Sequence, residues 1–239
     1  MKNLKPLLTG LLAKIGAVCL LSVSLTSCLK EKYIAPYNPP AALVSFTQAS
    51  PDEPPINFFL NNDLVNQFYS LNFGQSLDYF RAYTGQRTAI FYNAGTQNIL
   101  LSDTVTFNQN DIYSLFLANK ASSPELVVLK DTLSQPAAGM ASIRFINLSP
   151  DAPAVSLAIQ GGATLAANKP YKAFSSFTPV AGSKNYTFQV MEGSTVVATL
   201  SNVNINNGFV YTLWFHGLAS GTTSNDQLGV GILTNAYYY

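Results

Sequence analysis

Val44-Ser45-Phe46-Thr47-Gln48-Ala49-Ser50-Pro51-Asp52-Glu53-Pro54-Pro55-Ile56 returns in the second half of the chain as Ile143-Arg144-Phe145-Ile146-Asn147-Leu148-Ser149-Pro150-Asp151-Ala152-Pro153-Ala154-Val155. The Ser-Pro-Asp-x-Pro phrase keeps its spacing to three apolar partners, Val44/Ile143, Phe46/Phe145 and Ile56/Val155. A second pair of stretches repeats further on: Val105-Thr106-Phe107 through Tyr113-Ser114-Leu115-Phe116 matches Val203-Asn204-Ile205 through Tyr211-Thr212-Leu213-Trp214. Repetition over this length marks one structural unit used twice.

The residues between these anchors alternate with period two. Ile56, Phe58 and Leu60 form one face, as do Val155, Leu157 and Ile159, then Tyr186, Phe188 and Val190, then Phe209, Tyr211, Leu213 and Phe215. Alternation places every second side chain on one side of an extended strand. Turn-forming runs separate the strands: Asn61-Asn62-Asp63, Asn93-Ala94-Gly95, Gly161-Gly162, Glu192-Gly193-Ser194 and Asn206-Asn207-Gly208. No stretch after residue 40 has the length, caps and apolar stripe of a helix. The expected fold class is therefore all-β, two tandem Ig-like β-sandwich domains behind a lipoprotein signal peptide. The boundary falls in Ser134-Gln135-Pro136-Ala137-Ala138-Gly139, which has no periodicity. The expected divisions are 1–27, 28–40, 41–135 and 140–239.

The first division carries an export signal. Lys2 and Lys5 precede a largely apolar run from Leu7 to Leu25, whose uninterrupted part, Ile15 to Leu21, is too short for a membrane span. It ends Leu25-Thr26-Ser27-Cys28, the pattern of a bacterial lipobox, with Cys28 as the lipid-attachment residue. Several acyl chains, at about 0.8 kcal/mol per buried methylene, would anchor the protein stably. Pro36, Pro39 and Pro40 then make an extended spacer. The expected location is the cell envelope, lipid-anchored at the outer membrane and facing the periplasm or the surface.

Composition excludes several classes. Of 239 residues, 48% are hydrophobic and 10% charged, the reverse of a disordered chain. The net charge of +1 becomes slightly negative once the lysines of the leader are removed, which leaves no electrostatic footprint for nucleic acid. The two cysteines, Cys19 and Cys28, both lie in the leader region, so the body holds neither disulfide nor thiolate metal site. No phosphate-cradling glycine motif occurs, and Gly229-Val230-Gly231 is a fragment inside a strand-like run, so no cofactor is expected.

Ala141 to Leu218 resembles the DUF4397 domain, an uncharacterised β-sandwich family of exported bacterial proteins. The resemblance rests on Ser149-Pro150-Asp151-Ala152-Pro153-Ala154-Val155, on Val180-Ala181-Gly182 before Tyr186-Thr187-Phe188-Gln189-Val190, and on Tyr211-Thr212-Leu213. The first half is similar to a degenerate copy, with Tyr83-Thr84-Gly85 in place of the Ala-Gly turn. The resemblance implies an Ig-like sandwich with a surface or periplasmic role, and it brings no catalytic residues.

Candidate site residues are few. Asp52 and Asp151 could bind a ligand, but Pro51 and Pro150 pre-set a turn in which Asp bonds an N–H two residues on. His216, the only histidine, follows Trp214 on the face opposite Tyr211 and Leu213 and has no nucleophile beside it. The remaining signal is aromatic: Phe68-Tyr69, Tyr79-Phe80, Tyr83, Phe91-Tyr92 and Tyr237-Tyr238-Tyr239, which could grip a protein or glycan or simply pack. Tyr79 and Tyr83 are carried forward with Asp52 and Asp151 as binding candidates. No catalytic or metal residue is assigned. The expected function is a non-enzymatic adhesion or ligand-binding lipoprotein with an unknown protein or glycan ligand. A structural subunit of an envelope complex is the alternative, and a carboxylate glycosidase built on Asp52, Glu53, Asp63 and Asp78 is the third.

Overall fold

A computed structural model describes residues 38–223 and 226–239. The signal peptide, the lipid-modified Cys28 and most of the tether therefore lie outside the described residues. Strands β1 (Ala41–Gln48), β2 (Ile56–Leu60), β3 (Asp63–Leu64), β4 (Ser76–Tyr83), β5 (Gly85–Asn93), β6 (Ile99–Phe107), β7 (Ile112–Ala118) and β8 (Glu125–Asp131) build the first half. Strands β9 (Met140–Asn147), β10 (Val155–Ile159), β11 (Thr164–Lys169), β12 (Thr178–Ala181), β13 (Lys184–Glu192), β14 (Thr195–Ile205), β15 (Phe209–His216) and β16 (Gly229–Tyr237) build the second. No helix occurs among the described residues, so the chain is all-β.

The strands form four sheets, ordered β4-β1-β7-β8, β3-β2-β5-β6, β12-β9-β15-β16 and β11-β10-β13-β14. Adding eight to each label of the first two orders gives the last two. The repeat extends to register: β1 runs parallel to β7 with Val44 opposite Tyr113, and β9 runs parallel to β15 with Ile143 opposite Tyr211. Both tyrosines fix the preceding corner in the same way. The Tyr113 hydroxyl accepts the Asn108 N–H at 3.3 Å, and the Tyr211 hydroxyl accepts the Asn206 N–H at 3.1 Å, the tyrosine corner of Greek-key sandwiches. Each expected turn run lies at a strand connection.

Each half has its own core. Phe46, Phe58 and Phe91 stack at 4.7–5.4 Å inside the first, with Ile56, Leu71 and Leu115. Phe145, Leu157, Phe188, Leu213 and Phe215 fill the second. The alternating residues quoted above supply these faces, with Ile159 and Phe209 at the margin.

A third cluster lies between the halves. Phe116, Ala118, Val127 and Leu129 from the β1 sheet meet Ile146, Leu148 and Trp214 from the β9 sheet. These side chains project from the faces opposite the two cores, so the β1 and β9 sheets pack on each other as well. Their central strands are consequently buried on both faces, and β7 and β15 run apolar almost without alternation. The Gly-x-Gly of β16 belongs here. Gly229 and Gly231 pair with His216 and Trp214, and a Cβ on either would collide with those rings.

Candidate functional site

The Ser-Pro-Asp loops are stitches. Gln48 Oε1 accepts the Ser50 N–H at 2.7 Å, and Asn147 Oδ1 accepts the Ser149 N–H at 3.0 Å. The Ser50 hydroxyl then donates to the Asn119 carbonyl, and that of Ser149 to the Gly217 carbonyl. Asp52 Oδ1 accepts the Ala121 N–H at 2.8 Å, and Asp151 Oδ1 accepts the Ala219 N–H at 2.7 Å. The aspartates thus bond a distant loop, not the amide two residues on; Gln48 and Asn147 make that local bond. Each serine and aspartate ties the loop after the first strand of its half to the loop after the seventh. Asp151 also takes the Ser220 hydroxyl and a 3.3 Å ion pair from Lys120 of the other half. Burial pushes its carboxyl up, but Ser220, the Ala219 amide and Lys120 outweigh that and hold it below the usual range. Committed in this way, Asp52 and Asp151 form structural joints.

Tyr79 is committed too. Its hydroxyl donates to Asp131 Oδ2 at 2.6 Å and accepts from Asn235 Nδ2 at 2.9 Å. Burial, then the Asp131 charge, push its ionisation up to about 12. Asp131 also accepts from the Ser114 hydroxyl and pairs with Arg144 Nη1 at 2.6 Å. Arg144 donates to Thr212 Oγ1, which donates to Asn235 Oδ1 at 2.6 Å. These six side chains form a closed polar ring between the β1 and β9 sheets.

His216 stacks on Trp214 at 4.5 Å and meets the edge of Phe73 from the first half at 5.2 Å. Desolvation lowers its pKa to about 4, so it is a neutral packing residue near neutral pH. Glu53 is buried, with neither carboxylate oxygen hydrogen-bonded among the described residues. Burial, then the neighbouring Asp52, raise its pKa to about 7.

Tyr83 alone of the four binding candidates faces an opening. A groove of about 390 Å³ lies between β3 and β4, the edge strands of the two first-half sheets. Its walls are Leu60, Leu64, Val65, Leu77, Phe80 and Ala82; its polar groups include Asn61, Asp63, Gln67, Asp78, Arg81 and Arg87. Phe68, 93% exposed, and Tyr83, 56% exposed, stand at its rim. The Arg87 guanidinium lies 5.9 Å from the Tyr83 ring and donates to the Tyr83 and Thr84 carbonyls at 3.0 and 2.7 Å.

The groove exists because β3 is short. Its counterpart β11 runs six residues, whereas β3 stops after two. Buried Asn66 takes over: its Oδ1 accepts the Phe58 N–H at 2.7 Å, and its Nδ2 donates to the Ile56 and Tyr69 carbonyls. An amide side chain thus satisfies the edge of β2 that a longer strand would have paired. The chain then turns outward through Phe68, and Leu77 and Phe80 are left only partly covered. Sequence reasoning had flagged Phe68, Phe80 and Tyr83 as aromatics, and Asp63 and Asp78 as acids. It missed the aliphatic wall and Arg87, whose convergence depends on where β3 ends.

Asp63 and Asp78 line the groove, while Asp52 is tied to the loop after β7. Both groove carboxylates are exposed, not set in the shielded pocket of a glycosidase acid. Among the described residues no three His, Cys, Asp or Glu side chains gather as a metal site.

Residues 42–158 match the family described as "Domain of unknown function (DUF4397)". The match runs from β1 into β10 and includes both Ser-Pro-Asp phrases. It lies mainly on the first half, and meets the resemblance drawn over Ala141–Leu218 only in residues 141–158. No curated protein matches the chain. Among solved structures, the family 26 carbohydrate-binding module of Eubacterium rectale Amy13K, in complex with maltoheptaose, is 10% identical, covering 82% of this chain and 97% of its own, at a TM-score of 0.26. A structure of family 41 carbohydrate-binding modules from streptococcal virulence factors is 12% identical, covering 80% and 95%, at 0.23. At such TM-scores the likeness transfers neither site nor ligand to this chain.

Proposed function

With residues 42–158 placing the chain in the DUF4397 family, we propose that it is a non-enzymatic, lipid-anchored cell-envelope protein that binds a ligand in the groove between β3 and β4. The observation that carries this reading is the opening itself. One copy of a repeated sandwich has lost most of an edge strand, which bares part of its core beneath two exposed aromatic rings. Exposed aromatics over a partly apolar concavity are the features of a recognition site. The other prominent polar side chains are occupied in joints: Asp52, Asp151, Tyr79, Asp131 and Arg144 all bond within the protein.

The test is binding of the full-length chain, held in detergent micelles, to arrays of envelope proteins, matrix proteins and glycans. Phe68→Ala and Tyr83→Ala should each weaken capture by about tenfold, since removing a good aromatic anchor costs more than 1 kcal/mol. Capture that neither substitution changes would put the site elsewhere. Anchoring at Cys28 is tested by the acyl mass of the mature N-terminus, and its side of the outer membrane by protease shaving of intact cells.

A second reading, an accessory subunit of an envelope complex, is favoured by the sealed joint between the halves, which suits a spacer. In-cell crosslinking that returns one stoichiometric partner, bound away from the groove, would support it.

A further inference from the structure

We propose that the groove takes an extended peptide, added as a strand along the outer edge of β4, with alternate apolar side chains seated against Leu60, Leu77 and Phe80. This rests on the ligand-binding reading of the same groove and names the ligand's class.

Three observations converge. First, β4 ends its sheet and, among the described residues, pairs with β1 alone, while β3 ends the facing sheet after two residues. An edge strand presents backbone N–H and C=O groups, the template for strand addition. Second, the wall is aliphatic. Leu60 belongs to the core, and Leu77 and Phe80 pack against it half covered, so the groove is where the core runs out. A chain with apolar residues at every second position would continue that core and keep its polar residues outward. A sugar would gain hydrogen bonds from the rim but little from Leu60, Leu64 and Val65. Third, the charges balance, Asp63 and Asp78 against Arg81 and Arg87. The complementary ligand is uncharged or internally balanced, and a polyanion or polycation meets like charge. Arg87 closes one end by holding the Tyr83 and Thr84 carbonyls, so an incoming strand aligns from the Leu77 end.

Strand addition differs from other modes because only alternate ligand amides face the host. The experiment uses the full-length chain in detergent micelles and a fluorescent peptide of alternating valine and threonine, with one lysine and one glutamate for solubility. Two further peptides are N-methylated at one or the other set of alternate amides. The expected result is saturable binding that falls by tenfold or more with one methylated set and persists with the other. Phe68→Ala, an exposed site where the fold does not depend on the ring, should weaken it. Equal loss with both sets, or with neither, overturns strand addition. Glycan capture that depends on Phe68 and Tyr83, with no peptide binding, overturns the peptide assignment and leaves the ligand-binding reading standing. Absence of any Phe68-dependent or Tyr83-dependent ligand removes both.

Discussion

Arg144 sits where sandwich proteins seldom keep a charge, with its side chain only 3% exposed and Asp131 fully enclosed beside it. A buried pair of this kind is held by geometry: Asp131 also receives the Tyr79 and Ser114 hydroxyls, and Arg144 reaches Thr212 and lies over the Phe177 ring. Removing one partner strands the other charge. Arg144→Met is expected to cost about 3–5 kcal/mol in urea unfolding, and Asp131→Leu added to it should recover much of that loss, since the penalty comes from the orphaned carboxylate. His216 makes a pH prediction. Its pKa falls from 6.5 to about 4 on burial, so below 6.5 the unfolded chain takes up a proton that the fold refuses. Stability from this residue is complete above pH 6.5 and lost as pH falls towards 4, by at most about 3 kcal/mol. Glu53 has the opposite sign. With its pKa raised from 4.5 to about 7, its contribution is intact below 4.5 and lost as pH rises to 7. Melting His216→Phe beside wild type between pH 4 and 7 isolates the histidine: the variant should gain relative stability towards pH 4, and parallel curves would refute its burial as a neutral ring.

At the scale of the strand, Asn66 decides how far β3 extends. It is 4% exposed, and its carboxamide serves the Phe58 amide and the Ile56 and Tyr69 carbonyls. Asn66→Ala leaves a buried N–H unpaired, which costs about 1–3 kcal/mol. The same change should release the segment carrying Phe68, so ligand capture should fall by more than the stability loss explains. Hydrogen exchange at Phe58 and Leu71 checks this: selective loss of protection there is expected, whereas uniform loss would mean plain destabilisation. The strands themselves were legible in the sequence because each core-facing set alternates with solvent-facing residues, as in Tyr186, Phe188 and Val190. The end of β3 was not. Asn61-Asn62-Asp63 marks the turn correctly, but nothing in Leu64-Val65-Asn66 states that a side chain replaces the next rungs of the ladder. The burial of β7 and β15 on both faces was hidden for a related reason. Phe116 and Trp214 fall between core positions in apolar runs, and one face cannot be separated from two when period two is lost. Arg144 gave no signal at all, since its partner Asp131 lies on the last strand of the other half.

At the scale of the molecule, Pro40–Tyr239 forms one compact unit although it contains two cores. The joint explains how: the apolar cluster around Phe116, Leu148 and Trp214 lies beside the polar ring, and the ion pairs Lys120–Asp151 and Lys172–Glu125, at 3.3 and 2.6 Å, stand at more exposed positions. Exposed pairs add little, roughly 0–1 kcal/mol each. Coupling must therefore come from the cluster and the ring, and it should be severed there. Trp214 is the only tryptophan and lies in the joint, so its fluorescence reports the interface while far-ultraviolet dichroism reports all sixteen strands. In the wild type both signals should follow one urea transition. Phe116→Ala with Leu148→Ala removes facing side chains from both sheets, a loss of several kcal/mol by the usual cost of such truncations, and leaves the listed phenylalanines of neither core altered. Fluorescence should then change at lower urea than dichroism, which should become biphasic as the halves unfold separately. Coincident transitions in the double variant would mean that Arg144, Asp131 and Asn235 hold the halves together without the apolar cluster. Separate transitions in the wild type would mean that the joint is too weak to couple them.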